Sequence, residues 1–321
     1  MSCFQAKRKL FTYVFSGILI TICSVSLAGS LRVLTFNLYA AGINTGDSID
    51  ASLEVIRQAD ADIVGLQETR AERSPCLPDD CPPTGSSVAS LIADQLHYNV
   101  YDQVGPRDAL WANAILSRFP IVQTAEDDLG VMIETPNGLV WVFNLHLHDA
   151  PYQPYQAVGI EYGDAPITRE PGELIASAER TRGAGIARIV KQIGDAVRLP
   201  VMIMGDFNEP SHLDWTEAAV AVGQQPLVVL WPASRTLAKL GFIDAYRHVH
   251  PNPVLKKAWT WTPLHDKGEP EKHDRIDFIY TRGLGILDAW ILGEPSPVSD
   301  LVFELWPSDH RAVLVEFELV P

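Results

Sequence analysis

Polar residues able to bind a cation or move a proton recur in this chain where apolar runs stop. The sharpest case is Pro200-Val-Met-Ile-Met-Gly-Asp-Phe-Asn208, where the apolar run 201–204 breaks at Gly205 and is followed by Asp206 and Asn208. A short apolar run bounded by a breaker reads as a buried strand. Residues two apart past its end can point the same way. A carboxylate and an amide then stand together at the mouth of a sheet, where α/β proteins bind ligands. The same tetrapeptide is also good turn chemistry, so taken alone it supports a turn as well as a site.

Other strand tips repeat the pattern. Leu31-Arg-Val-Leu-Thr-Phe36 alternates and ends at Asn37, and residues 62–66 end at Gln67 and Glu68. Val140-Trp-Val-Phe-Asn-Leu-His-Leu-His148 ends on two histidines two apart. Asp277 interrupts Ile276, Phe278 and Ile279, and Asp309 with His310 opens the last strand. Packing explains none of Asn37, Glu68, His146, Asp206, Asn208, Asp277, Asp309 and His310. A charge amid apolar residues is buried and needs a partner. Glu68, Asn37 and Asp309 offer the oxygen ligands that hard cations take, which favours Mg2+ or Mn2+, with Ca2+ as a third choice. Zinc would take more histidine or cysteine. A hard dication, two histidines and several carboxylates suit phosphoryl chemistry: charge is neutralised, water activated and the leaving group protonated.

The elements that must position these residues follow from periodicity. Residues 50–59, 86–97 and 171–196 read as helices, and a helix capped by Ser211 runs to about residue 222. Residues 112–117, 121–126, 130–135 and 139–147 read as strands, the last two joined by an Asn137-Gly138 hairpin turn. Residues 149–170, rich in proline and tyrosine, read as a long functional loop. Residues 224–272 are mixed, and Trp259 and Trp261 in them read as packing. Residues 275–280 and 286–292 read as paired strands, and residues 310–319 as the closing one. Each half runs strand, helix, strand with polar tips, which predicts two sheets face to face with helices outside. No linker divides the chain after residue 28, so residues 29–321 form one domain.

The chain has 321 residues, 47% of them hydrophobic, and a net charge of −15. That acidity disfavours a broad nucleic-acid surface, and the body of the chain carries no polybasic run for a membrane. Lys7, Arg8 and Lys9 precede an apolar stretch, 10–28, that closes on Ser26-Leu27-Ala28. This is the layout of a secretory signal peptide, long enough also for an uncleaved anchor. Loss of residues 1–28 removes three basic and no acidic groups, taking the charge from −15 to −18. Cys76 and Cys81 then remain, in a proline-rich polar loop at 74–83. In an exported chain such a pair forms a local disulfide.

With these residues in view the chain resembles the endonuclease/exonuclease/phosphatase superfamily, which is DNase I-like. The matching pieces are Thr35-Phe-Asn37, Gln67-Glu68, Asn113-Ala-Ile-Leu-Ser-Arg118, Asn144-Leu-His146, Gly205-Asp-Phe-Asn208, Arg275-Ile-Asp277 and Ser308-Asp-His310. Each piece is weak alone, but their order is specific and spans nearly all of residues 29–321. The resemblance implies an α/β (α+β) fold, a four-layer α/β/β/α sandwich. It implies Glu68 as the principal metal ligand, helped by Asn37 and Asp309, and a catalytic His310 oriented by Asp277. It further implies Asp206 to position or deprotonate water and Asn208 to contact the scissile phosphate. His146 would be a general acid, with no evident carboxylate partner, and Asn113 a substrate contact.

The expected function is a secreted, Mg2+-dependent hydrolase of a phosphodiester or organic phosphate, working as a monomer outside the cytoplasm. An extracellular nuclease is the alternative, in which nucleic acid enters only as substrate. A sphingomyelinase-like lipid phosphodiesterase and a non-catalytic binding module rank lower. After cleavage of the leader no stable membrane association is expected.

Overall fold

The structure is a computed structural model that describes residues 29–42, 49–70, 87–103, 112–162, 165–194, 198–263 and 270–318. The leader and the cysteine pair lie outside the described residues. The first half runs β1 (Ser30–Asn37), α1 (Ile49–Ala59), β2 (Ile63–Gln67), α2 (Ala89–Leu96), β3 (Asn99–Gln103) and β4 (Asn113–Ser117). The second begins β5 (Ile121–Thr124), β6 (Gly130–Thr135), β7 (Gly138–His146), α3 (Gln153–Val158), α4 (Pro171–Ile193) and β8 (Val201–Asp206). It continues with α5 (Glu217–Ala221), α6 (Pro232–Lys239), β9 (Ile243–Asp244), α7 (Ala245–Val249) and β10 (Asp277–Arg282). The chain closes with β11 (Gly285–Gly293), β12 (Leu301–Val302) and β13 (Ala312–Glu318).

The strands form two mixed sheets, ordered β12-β11-β13-β1-β2-β4-β3 and β5-β6-β7-β8-β10-β9. Each has one parallel pair near its middle, β1 with β2 and β7 with β8. The apolar runs are continuous there because both faces are buried. Leu31 and Val33 of β1 face the space between the sheets, with Val142, Met202 and Met204. Leu34 and Phe36 face outward onto Leu53 and Ile56 of α1 and Ile92 of α2. Val201 and Ile203 of β8 face outward onto Ile186 and Ile189 of α4 and Leu237 of α6. A fully buried side chain of this size contributes about 1.5–3 kcal/mol, so three apolar layers hold the four-layer α/β/β/α sandwich that was expected.

Three expectations change. Residues 275–280 and 286–292 do not pair: β10 lies between β8 and β9, whereas β11 joins β13. The short link between them, with Gly283 at φ 92°, carries the chain from one sheet to the other instead of folding it back. Ser211 is not a helix cap. Its Oγ accepts from Leu213 N at 3.1 Å in a turn, and Thr216 caps α5 by accepting from Ala219 N. The loop at 149–170 carries a helix of its own, α3, begun by Pro154 in its first turn.

Candidate active site

The parallel pairs end at one edge of the sandwich. Asn37 is in register with Gln67, and His146 and Asp277 both with Asp206. Gly205 makes the second alignment. Its φ is 135°, and a Cβ there would fall 1.9 Å from the Leu145 carbonyl oxygen. Only glycine lets β8 press this closely on β7 just before Asp206.

Asp206 is the centre of the cluster. Its Oδ2 accepts from Asn37 Nδ2 at 3.1 Å, and its Oδ1 accepts from Asn208 N at 2.8 Å. His146 Nε2 stands 3.5 Å and His310 Nε2 3.6 Å from Oδ2. Asp206 is thus the carboxylate beside His146 that the sequence did not reveal. His310 Nδ1 is 2.9 Å from Asp277 Oδ2, so two residues 33 positions apart form one unit. Burial alone would lower the His310 pKa; Asp277, Asp206 and Asp309 outweigh it and raise it well above the usual imidazole range. Carboxylates on both sides of the ring favour its protonated form. Burial also raises the Asp277 pKa, against the pull of His310.

Neighbouring hydroxyls fix the pair. Thr260 Oγ1 accepts from Ile276 N at 2.9 Å and Asp277 N at 3.1 Å. Ser308 Oγ donates to the Asn37 carbonyl at 2.7 Å and accepts from His310 N at 3.0 Å. Glu68 Oε1 accepts from Asn37 Nδ2 at 3.0 Å, and Oε2 from Ala40 N at 2.8 Å. Glu68 and Asn208 both adopt left-handed backbone, with φ of 54° and 48°. Such geometry costs about 1–2 kcal/mol per residue and persists where the surroundings impose it, often at functional sites.

Two expected contacts differ. Asn37 does not turn its oxygen to the cleft; Oδ1 accepts from Tyr39 N at 3.0 Å. Its amide nitrogen instead joins the Glu68 and Asp206 carboxylates. Asn113 is fully buried and donates to the Asn144 carbonyl at 3.3 Å. The contact seen is a brace between the sheets. Asn208 donates from Nδ2 to the Leu147 carbonyl at 2.9 Å, which leaves one amide hydrogen for a further acceptor.

The donor set fits a hard cation. Burial pushes the Asp309 carboxyl up to about 7; His310 draws it back, and nearby Glu68 and Asp206 push it further. Its Oδ1 is buried with no hydrogen bond among the described residues. Carboxylates crowded this way favour a dication between Glu68 and Asp309. Asp206, Asp277 and His310 also bring ligand atoms within 4.8 Å of one another. The contacts within that trio are the ones His310 already makes.

Several supporting residues carried no sequence signal of their role. Asn144 donates to the carbonyls of Leu66 and Ala114 and to Gln103 Oε1, and accepts from Gln67 Nε2 at 2.6 Å, a polar knot between the sheets. Arg182 of α4, 1% exposed, donates to the carbonyls of His148, Asp149 and Pro151 and to Gln153 Oε1. It clamps the loop that leaves His146. His148 lies at the rim, its Nδ1 3.4 Å from Asp149 Oδ1.

The profile of the Endonuclease/Exonuclease/phosphatase family matches residues 34–310. An uncharacterized protein of Caenorhabditis elegans is 27% identical over 318 residues, covering 92% of this chain and 94% of its own. Among solved structures, the chain resembles an AP endonuclease from Archaeoglobus fulgidus, with a TM-score of 0.52, 16% identity and coverage of 89% and 99%. It also resembles the human Nocturnin catalytic domain, with a TM-score of 0.51, 16% identity and coverage of 90% and 94%. For truncated TDP2 of Caenorhabditis elegans the TM-score is 0.50, at 17% identity and coverage of 90% and 97%. At these identities the structural likenesses show the fold.

Proposed function

Because this chain belongs to the endonuclease/exonuclease/phosphatase family, whose members hydrolyse phosphoester bonds, we propose that it is a divalent-metal-dependent hydrolase. It cleaves a phosphodiester or organic phosphate by attack of water. The observation that carries this reading is the buried Asp277–His310 pair, 2.9 Å apart, with Asp206 facing the other imidazole nitrogen.

Glu68 and Asp309 would hold the metal, and Asn37 orients Glu68. A bound Mg2+, or Mn2+ or Ca2+ in its place, supplies positive charge to the phosphate and leaving oxygens. His310, kept protonated, donates from Nε2 to a phosphoryl oxygen as negative charge builds there. Asp277 positions the ring. Asp206 orients water and takes its proton, its lone pairs aimed by Asn37 and Asn208. The remaining amide hydrogen of Asn208 binds the scissile phosphate. His146 protonates the departing oxygen.

The acidic surface supports a small ester over a polymer. Purified protein assayed with Mg2+ against bis-p-nitrophenyl phosphate, glycerophosphodiesters, inositol phosphates, sphingomyelin, DNA and RNA tests this. Turnover should appear on at least one small diester and fall by about 10² or more in His310→Ala. Turnover of DNA or RNA alone favours the nuclease. No turnover on any substrate counts against the catalytic reading.

We further propose that the chain is exported as a monomer, loses residues 1–28 and links Cys76 to Cys81. Mass spectrometry of the exported protein should give a chain beginning near Gly29 and 2 Da below the reduced mass, to within about 1 Da. An intact Met1 supports the anchor, and two free thiols reject the bridge.

A further inference from the structure

The loop leaving β7 and the loop approaching β10 meet in an aromatic corner beside the cleft. Tyr152, Tyr155 and Tyr162 come from the first and Trp261 from the second. Tyr155 and Tyr162 have ring centroids 5.8 Å apart at 88°, Tyr152 and Tyr155 5.2 Å at 82°, and Tyr152 and Trp261 5.6 Å at 74°. Tyr155 and Trp261 are 5.8 Å apart at 48°. Parallel rings make a slot for a flat base. Rings that cross edge-on make a corner, which suits a rounded group.

The corner opens into a cavity of about 480 Å3 walled by Tyr155, Tyr162 and Trp261 and by the carboxylate residues Glu161 and Glu271. No Lys or Arg is among its described lining residues. Burial pushes the Tyr155 hydroxyl up to about 12, and the charges of Glu271 and Asp274 add to it. The charged side chains among its described lining residues are both carboxylates. Aromatic faces and carboxylates together attract a cation. Ring faces offer few hydrogen-bond acceptors, so they suit a cation with no N–H to satisfy.

Trp261 joins this cavity to the phosphoryl site. Its backbone bridges to His310, the residue after Asp309. Trp261 is thus shared by the wall of the cavity and the backbone beside His310. We propose that the cavity binds a quaternary ammonium group carried by the phosphoester substrate, as in a choline ester. This deepens the phosphoesterase reading and rests on it.

The test separates binding from catalysis. The purified chain is titrated calorimetrically with choline and with 3,3-dimethylbutan-1-ol, its uncharged isostere. Choline should bind saturably and roughly tenfold tighter than the isostere. Tyr155→Ala should lose that difference; Tyr155 is buried, so Tyr162→Ala, at a 41% exposed position, is measured beside it and should weaken choline binding in a folded protein. Competition by glycerophosphocholine identifies a soluble ester. Binding to phosphatidylcholine but not phosphatidylglycerol vesicles, without that competition, identifies a lipid headgroup. Equal affinity for choline and its isostere, or no binding to either choline or phosphatidylcholine, overturns the proposal. Bis-p-nitrophenyl phosphate, which carries no cation, reads the catalytic site separately. Turnover without choline binding removes the cage alone, and choline binding without turnover removes the phosphoesterase reading alone.

Discussion

Asp277 shows how much a single residue discloses. A carboxylate 1% exposed in an apolar strand persists only beside a cation, and His310 is that cation. Removing either partner leaves the other charge buried, at a cost of about 3–5 kcal/mol. The two residues should therefore act as one unit on turnover. His310→Ala and Asp277→Ala should each abolish most activity, and the double variant should be little worse than His310→Ala. Steady-state rates on one diester, with folding checked by circular dichroism, read this. Multiplicative losses in folded proteins would break the pair. Glu68, Asp206 and Asp309 were legible for the same reason as Asp277, because each contrasts with an apolar run. Asn113 was not. A polar residue that knots two sheets and one that faces substrate look alike until the opposite sheet is in place.

At the scale of elements, α4 and the start of α6 hold the loops around the cleft. Glu209 Oε1 accepts from Ala233 N at 2.7 Å, in the first turn of α6. Burial pushes Glu209 up to about 7, with Arg182 and that N–H pulling it back. The carboxyl in the unfolded chain titrates near 4.5. Between these values the unfolded chain releases a proton that the folded chain keeps, so stability falls as pH rises through the window. The loss is at most about 3 kcal/mol and is complete above the folded value. Glu209→Gln cannot ionise and should lack this slope. Denaturant midpoints at pH 5 and pH 8 should drop further for the wild type than for the variant. Equal drops would contradict the burial of an ionisable Glu209. None of this was readable from the sequence: Arg182 falls among other charges in a long helix, and its partners are three loop carbonyls and the Gln153 side chain. The β10–β11 connection failed for a related reason. Alternation fixes which face of a strand is apolar and says nothing of which sheet receives it.

For the whole molecule, the echo between the halves was legible and is real in the topology: two central parallel pairs whose tips converge. What the echo could not supply was the seal between them, the Gln67–Asn144–Gln103 knot. The sequence shows it only as three scattered amides. That knot ties β2, which ends beside Glu68, to β7, whose neighbour β8 carries Asp206. Metal dependence routed through Glu68 is the central claim. Its most direct measurement is hydrolysis of bis-p-nitrophenyl phosphate by chelator-treated protein as Mg2+ is added back, for the wild type and Glu68→Gln. The wild type should be inactive when stripped and recover saturably. Glu68→Gln should lie lower by about 10² or more at low Mg2+ and regain part of the loss as Mg2+ rises. Turnover that survives chelation, or Glu68→Gln matching the wild type at low Mg2+, would contradict the account.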